Sequence, residues 1–432
     1  MKNIAIILVF MLILSGCTTH RQSLKEKVDA LDSSSNEDQD ETSDEIVTEQ
    51  TTKNVKPILE GLSAEEMMQK MTLEEKVAQL FIVDFYTYNK LLQVTEMTMQ
   101  LEERISSFPV GGVIFFNDNI VNRNQVTNLI ESVQSKTQIP LFVSIDEEGG
   151  LVSRLQKNPE IGMTVTPEAS VIGDTLLPQN AYRVGKILGE ELNALGFNMD
   201  FAPVADVNTN PDNPVIGNRS FSSEQKVVAD MVAEEIRGLQ EQKVAAVVKH
   251  FPGHGDTSTD THTGAVYVEH DRSRLDKIEL VPFVKAIEEG AMAIMVAHIA
   301  LPNVTDTDDP ASLSFEIITT LLREELQYKG VVITDALNMG AVADSYTSDQ
   351  SCVKALQAGI DILLMPEDFE LGYNGVLNAV KDGTLTEERI NESLLRILNL
   401  KIALGLMDHA TKNPLTVIGS QEHKDTVKAI TQ

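Results

Sequence analysis

Apolar residues recur along this chain in two rhythms. Short, nearly unbroken runs of β-branched and small residues alternate with longer stretches in which apolar positions return every three or four residues. The runs predict strands at Gln79–Phe85, Gly111–Phe116, Leu141–Asp146, Met199–Asp206, Val244–His250, Ala293–Ala300, Gly330–Asp335 and Asp361–Met365. Helical periodicity lies between them, including Ala181–Leu195, Glu224–Gln242, Arg272–Glu289 and Phe315–Gln327. Strand and helix in strict alternation predict an α/β fold, a (β/α)8 barrel of the TIM type, whose chemistry belongs at the carboxyl ends of the strands. A final helix at Leu385–Leu404 is expected to begin on a capping box, Thr384 to Glu387. Its stripe of Ile390, Leu394, Ile397, Leu398 and Leu404 should pack on the barrel.

The periodicity is missing at the amino end. After the positive Met1-Lys2, Ile4–Leu14 is apolar but short for a bilayer span. Leu14-Ser15-Gly16-Cys17 then resembles a bacterial lipoprotein cleavage box, which implies a signal peptide at 1–16 and acylation of Cys17. Residues 17–56 are rich in Ser, Thr, Asp, Glu and Gln and poor in aromatics, so they are expected to form a flexible, disordered acidic tether. By this reading the catalytic barrel, 57–410, is lipid-anchored to the bacterial membrane and faces outside the cytoplasm. An ordinary secretory peptide is the alternative.

Charge and cysteine content narrow the partners. Thirty-five basic residues face 65 acidic ones, a formal charge of −30. So acidic a surface argues against nucleic acid and against adhesion to anionic lipid. With Cys17 acylated, Cys352 would be the one remaining thiol and no intrachain disulfide could form. Oligomeric state is not legible.

The chemistry concentrates in Lys249-His250-Phe251-Pro252-Gly253-His254-Gly255-Asp256 and its continuation Asp260-Thr261-His262. The segment follows the Val244–Val248 run, and its Pro-Gly and Gly-Asp steps are turn chemistry. Three readings compete. His250, His254, Asp256 and His262 are metal-ligand types, although the adjoining Lys249 ammonium opposes a dication. The same residues could simply hydrogen-bond a loop together. In the third reading Asp260 charges and orients His262 as a general acid/base, while Lys249 and His250 donate to substrate hydroxyls.

These residues resemble glycoside hydrolase family 3, in its β-N-acetylglucosaminidase branch. Other segments agree in order: Lys70–Leu80; Asp146-Glu147-Glu148-Gly149-Gly150 followed by Arg154, with Glu147 where the family has Gln; Phe201–Asp206; Asn218–Phe221; and Ile333–Leu337. The resemblance covers about residues 60–407. It implies retaining hydrolysis of a terminal β-linked N-acetylglucosamine, from cell-wall muropeptides or related amino-sugar fragments. Asp335 would be the nucleophile, Asp260 and His262 the acid/base dyad, and no metal or cofactor is needed. Asp146, Arg154, Arg219, Lys249 and His250 would position the sugar. Taken by position alone, Asp335 could equally cap a helix, Arg154 could be a plain salt bridge, and His298 could line the site or be a satisfied core histidine. His254 and Asp256 are expected to hold the loop, and Gly253 and Gly255 to let it turn. A neutral imidazole base does not repel an anionic acceptor, so phosphate could compete with water. The chain has no Trp, which favours a pocket for one sugar over a long stacking groove.

Two rival functions stay open at this level: a β-glucosidase-like member of the family, and a non-catalytic sugar-binding surface lipoprotein. Residues 411–432 resemble the start of a linker to a second domain that this sequence does not contain.

Overall fold

The computed structural model describes residues 61–89, 93–261, 264–408 and 412–432. The expected leader, tether and lipidation site Cys17 lie outside the described residues, as does His262.

Each of the eight predicted runs forms a strand. In chain order the strands are β1 (Phe81–Asp84), β2 (Gly112–Ile114), β3 (Phe142–Ile145), β4 (Met199–Asp200), β5 (Ala245–Phe251), β6 (Val266–Tyr267), β7 (Ala293–Val296), β8 (Ile299–Ala300), β9 (Val331–Thr334) and β10 (Leu363–Leu364). Strands β6 and β8 make a separate parallel ribbon. The other eight form one parallel sheet in the order β10-β1-β2-β3-β4-β5-β7-β9. A bridge between Ile333 and Ile362 joins its two ends, so the sheet closes as a (β/α)8 barrel. Burial on both faces explains why the strands read as unbroken apolar runs. Ala245, Ala246, Val247 and Val248, for example, are all fully buried.

Differences from the sequence reading have local causes. The expected strand Met199–Asp206 is regular only over Met199–Asp200, since Pro203 has no N–H to donate to a ladder. Backbone bonds continue irregularly beyond it, Phe201 N to Ile145 O (2.9 Å) and Lys249 N to Pro203 O (3.1 Å), with one bridge between Val204 and Lys249. The expected helix Arg272–Glu289 is two helices, Arg272–Lys277 and Val281–Glu288. Pro282 cannot sit in a helix interior but fits the first turn of the second helix. Residues Glu316–Glu325 wind as a π-helix, with Leu326 N donating to Leu321 O at 2.9 Å.

The last long helix starts later than expected, at Glu387, capped by the Thr386 hydroxyl accepting from Arg389 N at 3.1 Å. The box from Thr384 does not form; Glu387 instead pairs with Lys76 at 2.7 Å. All five residues of the predicted apolar stripe are buried. The tail then packs back on the barrel. Its helix Gln421–Ile430 seats His423 between Glu190 (2.8 Å) and Glu191 (2.7 Å) of the helix Pro178–Leu195.

One buried acid sits in the helical layer. Glu235, on the helix Gln225–Glu241, is 4% exposed and packs its Cγ against Gly185 of the neighbouring helix. Burial, and then the negative charge of Glu148, push its carboxyl up to about 8. A carboxyl raised on folding destabilises the native state wherever the unfolded chain would ionise, from about pH 4.5 upward. Glu235→Gln should therefore stabilise the protein at pH 7 by about 2–4 kcal/mol. The gain should vanish below pH 4, where both states are protonated. Urea unfolding at the two pH values checks this, and an equal effect at both would refute the ionisation argument.

Candidate active site

Four strand ends build the site. Asp146 and Glu148 follow β3, Asp206 follows β4, Lys249 and His250 directly precede the last residue of β5, and Asp335 follows β9. Parallel strands bring all four carboxyl ends to one mouth of the barrel.

A charge ladder crosses that mouth. Lys249, 2% exposed, sets Nζ 2.8 Å from Asp146 Oδ1 and 2.7 Å from Glu148 Oε1. Arg219 grips Glu148 with two parallel bonds of 2.8 Å, Nε to Oε2 and Nη2 to Oε1. Such a fork is the strong geometry for a guanidinium and a carboxylate. Arg154 stands off, its Nη2 3.6 Å from Asp146, and its buried Nε has no partner among the described residues. Arg154 is thus paired only loosely and retains an N–H to offer, whereas Arg219 is fully engaged. Burial alone would raise the Glu148 carboxyl, but Lys249 and Arg219 outweigh it and hold it at about 2. The same carboxylates raise Lys249 against its own burial, so it stays an ammonium.

Asp206 organises the adjoining loop. Its Oδ2 accepts from His250 Nδ1 at 2.7 Å, and its Oδ1 accepts from the His254 amide at 2.6 Å. This fixes both the His250 tautomer and the point at which the chain leaves β5. Burial opposes ionisation of Asp206, yet the charge and hydrogen bond of His250 bring it below the usual carboxylate range. His254 turns inward, with Nδ1 2.7 Å from Thr257 Oγ1. Asp256 accepts from Thr209 Oγ1 at 2.8 Å and pairs with His270. Both residues therefore hold the loop, as expected of them. Gly253 has φ +133°, the turning role expected. Gly255 serves a different need: a Cβ there would lie 1.9 Å from Val207 O, so the loop could not approach that strand end.

Asp335 is not a helix cap. The next helix begins at Gly340, and Asp335 Oδ1 accepts from Ala336 N at 2.8 Å. Burial would raise its carboxyl; nearby His298 and His250, the Ala336 N–H and Lys249 together lower it below the ordinary value. His298 is buried, bound to Ser312 Oγ at 2.6 Å and donating from Nε2 to Ala336 O at 3.0 Å. It is at once a hydrogen-bonded core histidine and a neighbour of the candidate nucleophile. Asp260 is half-buried on the β5 loop. The next residue, Thr261, accepts through its carbonyl from Ala341 N at 3.1 Å, which ties this loop to the segment after Asp335.

Two contributors were missing from the sequence reading, Glu148 and Asp206. Both stand inside motifs recognised there, but nothing in one strand's sequence reveals its partner on another.

This fold and mouth define a class. Residues 72–400 match the glycosyl hydrolase family 3 N terminal domain, and the chain belongs to that family of glycoside hydrolases. It is 35% identical over 391 residues to a protein named β-hexosaminidase A from Pseudoalteromonas piscicida, a match covering 82% of this chain and 65% of the relative. A Stenotrophomonas maltophilia protein named β-hexosaminidase is 32% identical over 340 residues, covering 77% of this chain and 94% of the relative. Among solved structures, a family 3 β-N-acetylglucosaminidase from Paenibacillus sp. str. FPU-7 superposes with a TM-score of 0.77 at 39% identity. That match covers 83% of this chain and 68% of the other.

The ladder predicts an acid sensitivity. The Glu148 carboxyl is lowered on folding, so its pairing contributes stability present above about pH 4.5 and lost as pH falls toward 2. Glu148→Gln leaves Lys249 and Arg219 short of a counter-charge and should cost about 3–5 kcal/mol at neutral pH. The cost should shrink steadily in urea titrations run down to pH 2. A loss that does not change with pH would mean that shape, not charge, is what Glu148 supplies.

Proposed function

We propose that the chain is a retaining exo-β-N-acetylglucosaminidase acting on terminal β-linked N-acetylglucosamine in muropeptides or related amino-sugar fragments. The observation that carries this reading is a half-buried Asp335 with a lowered carboxyl at a mouth lined by hydrogen-bond donors, with the Asp260 loop tied to its own segment. The relatives' own activities, β-hexosaminidase and β-N-acetylglucosaminidase by name, support the choice of sugar.

In this mechanism the Asp335 carboxylate attacks the anomeric carbon while His262, charged by Asp260, protonates the leaving oxygen. A glycosyl ester forms on Asp335. His262, now neutral, takes a proton from water, which attacks the same carbon and releases the sugar with retained configuration. Asp146 accepts from sugar hydroxyls, and Lys249, Arg154 and His250 donate to them. Arg219 acts one step back, by fixing Glu148 and through it Lys249. We further propose that Cys17 is acylated and anchors the enzyme outside the cytoplasmic membrane. Replacing Cys17 by Ser should then move the protein from the detergent-extracted to the soluble fraction.

The deciding measurement is turnover of 4-nitrophenyl N-acetyl-β-glucosaminide against the matching β-glucoside. Turnover of the N-acetyl substrate should dominate and fall more than about a thousandfold in Asp335→Ala. Asp260→Asn should cost about a hundredfold or more. Preference for the glucoside would move the protein to the β-glucosidase reading, and silence of folded protein on both would leave sugar binding alone.

The pH profile is a separate check. Asp335 is lowered on folding, so activity is retained until pH falls through a value below about 3.9, the ordinary carboxylate pKa. If the limb assigned to the nucleophile titrates above that value, the charge argument fails.

A further inference from the structure

The opposite end of the barrel carries a cationic cavity that the glycosidase chemistry does not use. It encloses about 430 Å³ between the π-helix Glu316–Glu325 and the helix Glu387–Ala403. Lys329 and Tyr328 of its wall precede β9, and Gly359 precedes β10, so it opens where strands begin and not where they end.

Its charges are unbalanced. Arg323, Arg389, Arg396 and Lys329 line the cavity against only Glu324 and Glu392. Beneath them lies one fully buried carboxylate, Asp361, on which all three guanidinium groups converge. Asp361 stays ionised and low, because the three arginines outweigh its burial. Four cations over three carboxylates is an excess of positive charge in a chain whose formal charge is −30.

The donors are not equally occupied. Arg389 spends its groups on the carbonyls of Leu356 (3.0 Å) and Ile360 (2.7 Å) and on Ser393 Oγ (3.0 Å). Arg323 spends its own on Gly330 O (2.6 Å) and Asp361. Those two arginines are structural. Arg396 makes one hydrogen bond among the described residues, Nη1 to Asp361 Oδ1 at 2.9 Å. Its Nε and Nη2 remain as an open fork, and Lys329 is exposed on the wall with no ion pair among the described residues.

A guanidinium with two unspent nitrogens and an ammonium on the wall of one cavity, beside two arginines that share the same buried carboxylate, are the donor types that bind a planar or tetrahedral oxyanion. The cavity is of small-molecule size. We propose that it is a binding site for a small ligand bearing a phosphoryl or carboxylate group, held on Arg396 and Lys329, separate from the sugar site.

The test is calorimetric titration of the full chain with inorganic phosphate against chloride of matched ionic strength. Phosphate should bind the wild type, and Arg396→Gln should weaken it about tenfold. Lys329→Gln should weaken it severalfold, and because Lys329 supports no other group it covers the case in which Arg396→Gln fails to fold. Turnover of the nitrophenyl substrate should be unchanged in both variants. A parallel titration with acetate separates the sources: weakening of acetate by the same variants assigns a carboxylate ligand as well, and indifference restricts the site to phosphoryl groups. No phosphate binding beyond the chloride control, or equal affinity in wild type and both variants, overturns the proposal.

Discussion

Two cations at the barrel mouth, the buried Lys249 and the half-buried Arg219, constrain everything around them. A buried ammonium or guanidinium is tolerated only with counter-charges and satisfied hydrogen bonds. Lys249 meets that demand with Asp146 and Glu148 from the end of β3, although β4 lies between β3 and its own strand β5. Arg219 meets it with the other side of Glu148. One carboxylate therefore locks two loops to one strand, and the positions of Asp146 and Arg154 follow from that lock. The pairing is nearly complete within the ladder. What reaches Asp335 beyond it is a positive field, from His298 and His250 first and Lys249 last, that outweighs desolvation and lowers its carboxyl.

The barrel was legible because its signals are local. Eight parallel strands buried on both faces must be apolar runs, and each run fell where a strand lies. The errors arose where a local rule met another constraint. Pro203 interrupts a run that is otherwise strand-like, and Pro282 divides a pattern that is otherwise helical. Glu387 looks like half of a capping box, but tertiary contact offers it Lys76. The site was legible only as a set of motifs. Asp146, Arg154, Arg219, Lys249, His250 and Asp335 could be chosen from sequence, and the structure gathers them at the strand ends. Their pairings could not be chosen, because Glu148 to Arg219 spans 71 residues and Asp206 to His250 spans 44. Sequence patterns report a residue's own element, and charge pairing is decided between elements.

The same separation explains how one barrel holds acids in opposite states. Asp206 is buried, Glu148 and Asp335 are half-buried, and all three are lowered, each within reach of a cation or an imidazole. Glu147, Asp200 and Glu235 are buried and are raised. Glu147 accepts backbone N–H groups from Arg154 and Leu155, both at 2.8 Å, and donates its own N–H to Asp200, so its partners are dipoles and another acid. Dipoles offset burial less than a whole charge does, and the carboxyl stays high. The outcome bears on catalysis. Were all six ionised, their mutual repulsion would raise Asp335 and weaken it as a nucleophile. Raising the three that lack cations and lowering the three beside cations or imidazoles directs the limited positive charge of an acidic chain to the carboxylates that hold the site and, in the proposed reaction, attack the sugar.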